Sequence, residues 1–440
     1  MKFYNRESEI AELRRIAALS FADHARLTVV TGRRRIGKTS LVLKSFADAP
    51  VVYFFVPRKS EAALTAGFVE AASRELGIYV PIEIRNFSSL FRFLMELGQT
   101  KCFHLVIDEF QEFLSVNPAI YSEMQDIWDR NKDTTRVNLV VSGSVYSLMN
   151  KLFQDKKEPL FGRADNIIRL NPFDTVTLKK ILSDYAPGYT NDDLLALYAF
   201  TGGVPKYLEL FCDNGALSRS KMIRYAAREN SPFLEEGKNL LIEEFGKNYG
   251  IYFSILSALS CGITTQSNIE NAIGTISISG HLRRLVEDYN IIRRVRPILS
   301  KPQTQTVRYE IADNFLHFWF GHFDRNQSLI EMRNFNGLEK IIKQQYESWS
   351  GHILERYFRQ QLAESGRYRE IGAWWESRQD NNEIDLVALS LQGEHADVFE
   401  IKRQRKNYRQ EQLSQKVEHL RQKILSNYTI NQGCLTLEDM

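Results

Sequence analysis

The apolar run Leu27–Thr31 ends on Gly32-Arg33-Arg34-Arg35-Ile36-Gly37-Lys38-Thr39, and an amphipathic segment follows at once. Few folds accept that spacing. A strand has to stop, the chain has to turn with its backbone N–H groups directed inward, and a helix has to start on the last of them. Strand, tight glycine turn and helix in that order belong to a parallel sheet covered by helices, so the first part of the chain is committed to an α/β layer. Its neighbours agree. Val51–Val56, Phe103–Ile107, Val137–Ser142 and Ile167–Leu170 are short, apolar and mostly non-alternating, as strands buried on both faces are. The segments Glu61–Leu76 and Ala119–Arg130 supply intervening helices.

The turn has the chemistry of an anion cradle. Gly32 and Gly37 let successive N–H groups face one point, and the helix N-terminus adds partial positive charge. Lys38 reaches β- and γ-phosphates, the Thr39 hydroxyl ligates Mg²⁺, and Ser40 continues the rim, so ATP is the expected ligand. The second half of the site is Leu105-Val106-Ile107-Asp108-Glu109, a buried strand ending in two carboxylates. Asp108 is expected to hold Mg²⁺ and Glu109 to polarise the attacking water, which argues for hydrolysis rather than binding alone. At Val140-Val141-Ser142-Gly143-Ser144 a polar group can sense the γ-phosphate, or the segment is a plain turn. Arg163 reads either as an arginine finger, within or between subunits, or as a structural salt bridge. Arg33, Arg34 and Arg35 are expected to face solvent.

Length and composition bound the rest. A chain of 440 residues holds two to four compact units. With 43% hydrophobic and 25% charged residues it has the balance of a globular protein with a full core. A formal charge of +3 neither demands nor excludes nucleic acid. Cys102, Cys212, Cys261 and Cys434 are scattered without a CxxC pair or metal spacing, which argues against a disulfide framework or a zinc site and for a reducing compartment. The N-terminus turns polar too soon for a signal peptide, and no apolar run reaches the ~20 residues of a membrane helix. A cytoplasmic protein with no membrane partner is the expectation.

From Thr175 the pattern turns helical, interrupted by Thr201-Gly202-Gly203-Val204-Pro205. Short helices and two strands follow, Ile291–Val295 and Thr306–Ile311, with Pro297 and Pro302 in the loop between them. The helix at Ser279–Asp288, read as capped by Ser279, precedes that basic hairpin in the order a winged helix requires. His281, Arg283, Arg284, Arg293, Arg294 and Arg296 are placed to meet phosphates. The remainder opens with a helix, Trp349–Glu364, then strands at Glu383–Leu389 and Val398–Ile401 and a helix near Glu411–Leu425.

Taken in order, Asn5-Arg6-Glu7, the glycine-lysine turn, Asp108-Glu109, Gly143-Ser144, Gly162-Arg163 and Gly203-Val204-Pro205 resemble the archaeal-type ATPases of the STAND/AAA+ group, over about two-thirds of the chain. The resemblance implies a nucleotide-driven switch with an appended helical subdomain and a winged helix. It implies that Arg6 and Pro205 help enclose the nucleotide base, and that Lys206 touches phosphate. In such proteins the winged helix often serves only as an interdomain hinge, so DNA contact and packing both stay open for it.

A second constellation lies near the end. Strand alternation places Asp385 on one face, and Glu400 and Lys402 share a face of the next strand, so adjacent pairing brings two carboxylates and an ammonium together. Glu355 stands on an otherwise apolar helical stripe with Phe358 and Leu362, which is costly unless it meets a cation. Asp385 and Glu400 can take Mg²⁺, and Lys402 can stabilise developing phosphate charge. Glu355, Asp385, Glu400 and Lys402 together resemble the PD-(D/E)XK nuclease superfamily, with Ile384 where a proline often stands. The basic run Lys402–Lys406 suits a phosphate backbone.

The expected architecture is multidomain α/β: a P-loop core over 1–174, a helical lid over 175–244, a winged helix over 245–325 and a restriction-endonuclease-like domain over 326–440. The expected function is an ATP-binding and ATP-hydrolysing switch controlling a metal-dependent nuclease-like domain on nucleic acid, with DNA reached through the winged helix and the last domain, and a homo-oligomer compatible with it. The rival is a nucleotide-switched binding or regulatory protein whose last domain is an inert scaffold.

Overall fold

The computed structural model describes residues 1–46, 50–246, 249–275, 277–376 and 382–440. The chain separates into two compact units, Lys2–Asn171 and Pro172–Met440, the second joined by Met1.

In the first unit five strands, β1 (Arg26–Thr31), β2 (Val51–Phe55), β3 (Phe103–Asp108), β4 (Val137–Gly143) and β5 (Asn166–Arg169), form an all-parallel sheet in the order β2-β3-β4-β1-β5. Register decides which side chains share a face. Val52 lies beside Leu105 and Ile107 beside Val141, and these residues with Leu27, Val29 and Phe54 join one core cluster. The helices Glu61–Leu76, Phe87–Leu97 and Ala119–Asn131 pack into that cluster through Phe68, Leu94 and Ile127. Alternation sends Tyr53, Asp108 and Ser142 to the opposite face. Helix Phe87–Leu97, absent from the sequence reading, buries Phe87, Leu90, Phe91, Leu94 and Met95 at helical spacing. Asn86 caps it, accepting from the Ser89 N–H at 2.8 Å.

The second unit begins with five helices, Thr175–Tyr185, Asn191–Thr201, Pro205–Asp213, Arg219–Ala227 and Phe233–Phe245. Helices Gly250–Ser260, Gln266–Ile273 and Ser279–Glu287 follow, then the antiparallel hairpin β6 (Ile292–Val295) and β7 (Arg308–Ile311). Ser279 is the first helical residue and not the cap: Ile278 holds the cap position and no side chain caps there. A four-stranded sheet ends the chain, β8 (Tyr368–Trp374), β9 (Ile384–Ser390), β10 (His395–Ile401) and β11 (Thr429–Leu435), in the order β11-β10-β9-β8. The first three strands are antiparallel neighbours, and β11 returns parallel to β10 after helix Gln410–Lys423.

The helix expected from Trp349 begins already at Phe335 and runs to Glu364. Its polar first half hides the signal: Leu338, Ile342 and Tyr346 are buried while their neighbours are charged. It packs on helices Asn191–Thr201 and Arg219–Ala227 and also on β8, β9 and β10. The hairpin is tied to the same sheet. Ile298, in its loop, donates its N–H to the Ala373 carbonyl at 2.9 Å and buries its side chain in the sheet's core. Arg308 of β7 pairs with Glu383 at 2.5 Å and lies over the Trp375 ring.

One partly buried ion cluster ties the hairpin to the long helix. Glu310 of β7 faces Arg293 at 3.5 Å, Arg356 at 3.8 Å and Arg359 at 3.9 Å. Burial opposes ionisation of Glu310, yet the charges of Arg356, Arg359 and Arg293 outweigh it and hold the carboxyl below its ordinary range. A carboxyl depressed in the folded state adds stability above its unfolded pKa and loses it as pH falls through the folded value. Glu310→Gln, which removes the carboxylate shared by three guanidinium groups, is expected to cost about 1 kcal/mol at pH 7, with the gap to wild type narrowing below pH ~4. Denaturant unfolding of both proteins across that pH range checks this; an unchanged midpoint at neutral pH would contradict it.

Candidate functional site

The first site forms at the carboxyl ends of β1, β3 and β4. At Gly32, φ is 151°, and a Cβ there would stand 2.8 Å from the Leu170 carbonyl oxygen. Gly37, with φ 92°, is the N-cap of helix Lys38–Ser45. Both positions require glycine for the chain to turn into the helix. Lys38 is only 5% exposed, and its ammonium donates to the carbonyls of Gly32 at 2.9 Å and Arg33 at 3.1 Å. Ser40 is exposed on the first turn of the helix; of the three arginines in the loop only Arg34 is exposed, Arg33 and Arg35 being half-buried.

Asp108, 4% exposed, is the hub. Thr39 Oγ1 donates to its Oδ2 at 2.6 Å and the Tyr53 hydroxyl to the same oxygen at 2.8 Å. Ser142 Oγ donates to Oδ1 at 2.5 Å, and the Glu109 N–H donates to Oδ1 at 3.0 Å. Glu109 sits in the left-handed region with φ 53°, uncommon for a residue with a side chain. Its carboxylate accepts from Gln111 Nε2 at 2.7 Å and from Ser144 Oγ at 2.8 Å. Gly143 makes room for this clamp, since a Cβ there would come within 2.4 Å of Gln111 Oε1. The oxygens of Thr39 and Asp108 are hard donors side by side, which suits Mg²⁺.

Other expected residues take separate places. Arg6 is buried and donates to the Asn171 carbonyl at 2.7 Å and to Glu9 at 3.1 Å, pinning the start of helix Glu7–Ala22 to the chain after β5. Arg163 pairs with Asp129 at 3.0 Å and donates to the Phe161 carbonyl at 2.8 Å, the bland alternative for that arginine. Pro205 opens helix Pro205–Asp213 in the second unit, after Gly202 and Gly203 at positive φ, and Lys206 pairs with Glu209 at 2.6 Å. Sequence reasoning missed Tyr53 and Gln111. Tyr53 stands on a strand that carries no motif, and only the parallel register brings it to the face of Asp108.

The second site forms where β9 and β10 pair. Asp385 Oδ2 accepts the Ile401 N–H at 2.7 Å, and the antiparallel register that joins Leu386 to Phe399 sets Asp385 against Glu400. Lys402 lies between them, 2.8 Å from Glu400 Oε1 and 3.5 Å from Asp385 Oδ2, and Lys416 reaches Glu400 at 3.3 Å. Glu355, on the long helix, meets His352 at 3.4 Å. Burial first, then the charges of Glu355 and Glu400, push the Asp385 carboxyl up to about 6. The four expected residues are thus brought together, but as a lysine-neutralised cluster. Among the described residues no group of three His, Cys, Asp or Glu side chains is arranged as a metal site, and Lys402 occupies the space between Asp385 and Glu400. The basic run behind Lys402 is also partly engaged: Arg403 pairs with Asp192 at 2.8 Å and donates to Ser350 at 2.6 Å, and Arg405 pairs with Asp439 at 2.8 Å.

Comparison with known proteins follows this division. Residues 3–211 match a family described as an ATPase domain predominantly from Archaea, and residues 319–417 match one described as archaeal and bacterial proteins of unknown function. The first segment is thus similar to archaeal-type ATPase domains, in keeping with its glycine-lysine turn and parallel sheet. An uncharacterized protein of Methanocaldococcus jannaschii is 28% identical over 411 residues, 91% of this chain and 87% of that protein. Among solved structures, the Walker-type ATPase of Pyrococcus abyssi is similar with a TM-score of 0.55 and 19% identity, over 72% of this chain and 96% of that one. The Aeropyrum pernix ORC2 protein, solved as ADPNP–ADP complexes, gives 0.50 and 13%, over 76% of this chain and 96% of its own. At these identities the likeness concerns the fold: a multidomain α/β chain with a parallel five-stranded ATPase sheet. No helix among the described residues is long and apolar enough to cross a membrane.

Proposed function

We propose that the chain binds ATP with Mg²⁺ at the first site and hydrolyses it to ADP and phosphate. The observation that carries this is the Thr39–Asp108 contact at 2.6 Å at the foot of a glycine-lysine turn. The N–H groups of the turn and the helix N-terminus receive the phosphates, and Lys38 exchanges its two carbonyl partners for phosphate oxygens. Thr39 and Asp108 would hold Mg²⁺, which neutralises charge on the β- and γ-phosphates. Glu109, next to that ion, orients and polarises the water once it leaves Gln111 and Ser144. Arg6 is assigned to the base, and Arg163 acts on phosphate only if it first gives up Asp129. Mg²⁺-dependent phosphate release from ATP by the purified chain tests the reading, and its absence at saturating ATP would refute hydrolysis.

For the last domain, residues 326–440, we infer that the residue set Glu355, Asp385, Glu400 and Lys402 is a nuclease-like cluster in which Lys402 balances the carboxylates at rest and stabilises phosphate charge during cleavage. Arg403, next to Lys402, is held by Asp192 at the start of helix Asn191–Thr201, in the segment 175–244 read as the lid. Movement of that segment would therefore act on the cluster. With Mg²⁺ and ATP, DNA nicking is expected in wild type and is lost in Glu400→Ala and Lys402→Ala. If no form of DNA is nicked with any nucleotide, the rival stands, a nucleotide-switched binding protein with an inert last domain. DNA contact by Arg283, Arg284 and Arg294, exposed on the winged-helix segment 245–325, then becomes the main route to nucleic acid.

A further inference from the structure

We propose that Tyr53 is a positioning residue for the ATPase site, orienting the Asp108 carboxylate toward the divalent cation of bound nucleotide. The inference rests on the nucleotide-site reading above. Four donors meet this carboxylate: Thr39 and Tyr53 on Oδ2, Ser142 and the Glu109 N–H on Oδ1. A carboxylate with two oxygens has about four acceptor positions, so this set fixes one orientation of the side chain. The donors differ in what nucleotide asks of them. Thr39 is the one whose oxygen is needed as a ligand, so its hydrogen bond to Asp108 is given up or reshaped when the cation arrives. Tyr53 and Ser142 have no such second task, and they stay to hold the carboxylate in place.

The Tyr53 hydroxyl is suited to this. A phenol is protonated at neutral pH, so it donates and the carboxylate accepts, at 2.8 Å. Its strand fixes where it points. On β2, Phe54 turns into the core against Phe68, with ring centroids 4.2 Å apart, which forces Tyr53 to the opposite face. Parallel pairing sets Tyr53 beside Val106 and Phe55 beside Asp108, so the phenol reaches along that face to the end of the neighbouring strand. Ser142 arrives from the other side, on β4. The carboxylate is thus braced from both flanking strands. Groups that hydrogen-bond a metal ligand in this way typically set about 10-fold or more of the metal affinity.

The test uses the full-length protein, Mg²⁺ and a fluorescent ATP analogue. Nucleotide affinity is measured across a Mg²⁺ titration for wild type, Tyr53→Phe and Ser142→Ala, with thermal melts of each without nucleotide. Tyr53→Phe keeps the ring and its packing. The expected result is a Mg²⁺ midpoint about 10-fold higher than wild type in Tyr53→Phe, with affinity for the analogue in excess EDTA unchanged. A purely structural hydroxyl would lower the melting temperature and leave the Mg²⁺ midpoint where it was, and that outcome overturns the proposal. If the wild type itself shows no Mg²⁺-dependent gain in affinity, the nucleotide-site reading fails and this inference with it. If wild type responds and Tyr53→Phe responds identically, only the role of Tyr53 fails.

Discussion

Replacing Glu109 by glutamine is expected to lower ATP turnover by about 10²–10⁴-fold while the nucleotide still binds. The amide keeps the shape of the side chain and can still bond Ser144, but it no longer polarises water. Its backbone position also survives the change. The left-handed φ of 53° at Glu109 is tolerated by asparagine best and by glutamine no worse than by glutamate, so the local strain is the same in both proteins. Phosphate release and calorimetric ATP binding, measured on one preparation, separate the two effects. Unchanged release would remove Glu109 from the chemistry. Loss of binding together with turnover would make it a structural residue of the strand end.

The second large effect belongs to Lys38. Its ammonium is nearly buried and held by two loop carbonyls, so it is already oriented where phosphate oxygens arrive. Truncating one partner of a desolvated charge pair costs about 2–5 kcal/mol, so Lys38→Ala is expected to weaken Mg-ATP binding by roughly a hundredfold. Alanine is a good residue for the first turn of helix Lys38–Ser45, and the fold should persist. Equal affinity in wild type and variant, by calorimetry, would sink the assignment of the loop.

The ATPase layer was largely legible because its constraints are local. Five apolar runs, two glycines that need positive φ and two carboxylates at a strand end are each visible in a few consecutive residues. What the sequence did not reveal depends on pairing across distance. Tyr53 and Gln111 become part of the site only through register and a turn, and neither lies in a motif. In the second unit the long helix Phe335–Glu364 was recognised only from Trp349, since its first half mixes buried Leu338 and Ile342 with Glu339, Lys340 and Lys343. Strands β8 and β11 escaped for a related reason. Exposed Arg369 and Glu370 in β8, and Asn431 and Gln432 in β11, dilute the apolar alternation at the two edges of the sheet. The cluster of Glu355, Asp385, Glu400 and Lys402 was foreseen as a group. The capture of Arg403 by Asp192 was not, because a salt bridge between residues this far apart leaves no periodic trace.

The nucleotide site is tested by equilibrium binding of ATP to the wild-type chain in the presence of Mg²⁺, measured by calorimetry with Lys38→Ala as the paired control. Saturable binding of one nucleotide per chain, tightened by Mg²⁺ and lost in Lys38→Ala, is the expected result. Wild-type protein that is folded and gives no saturable binding of ATP or ADP would contradict it.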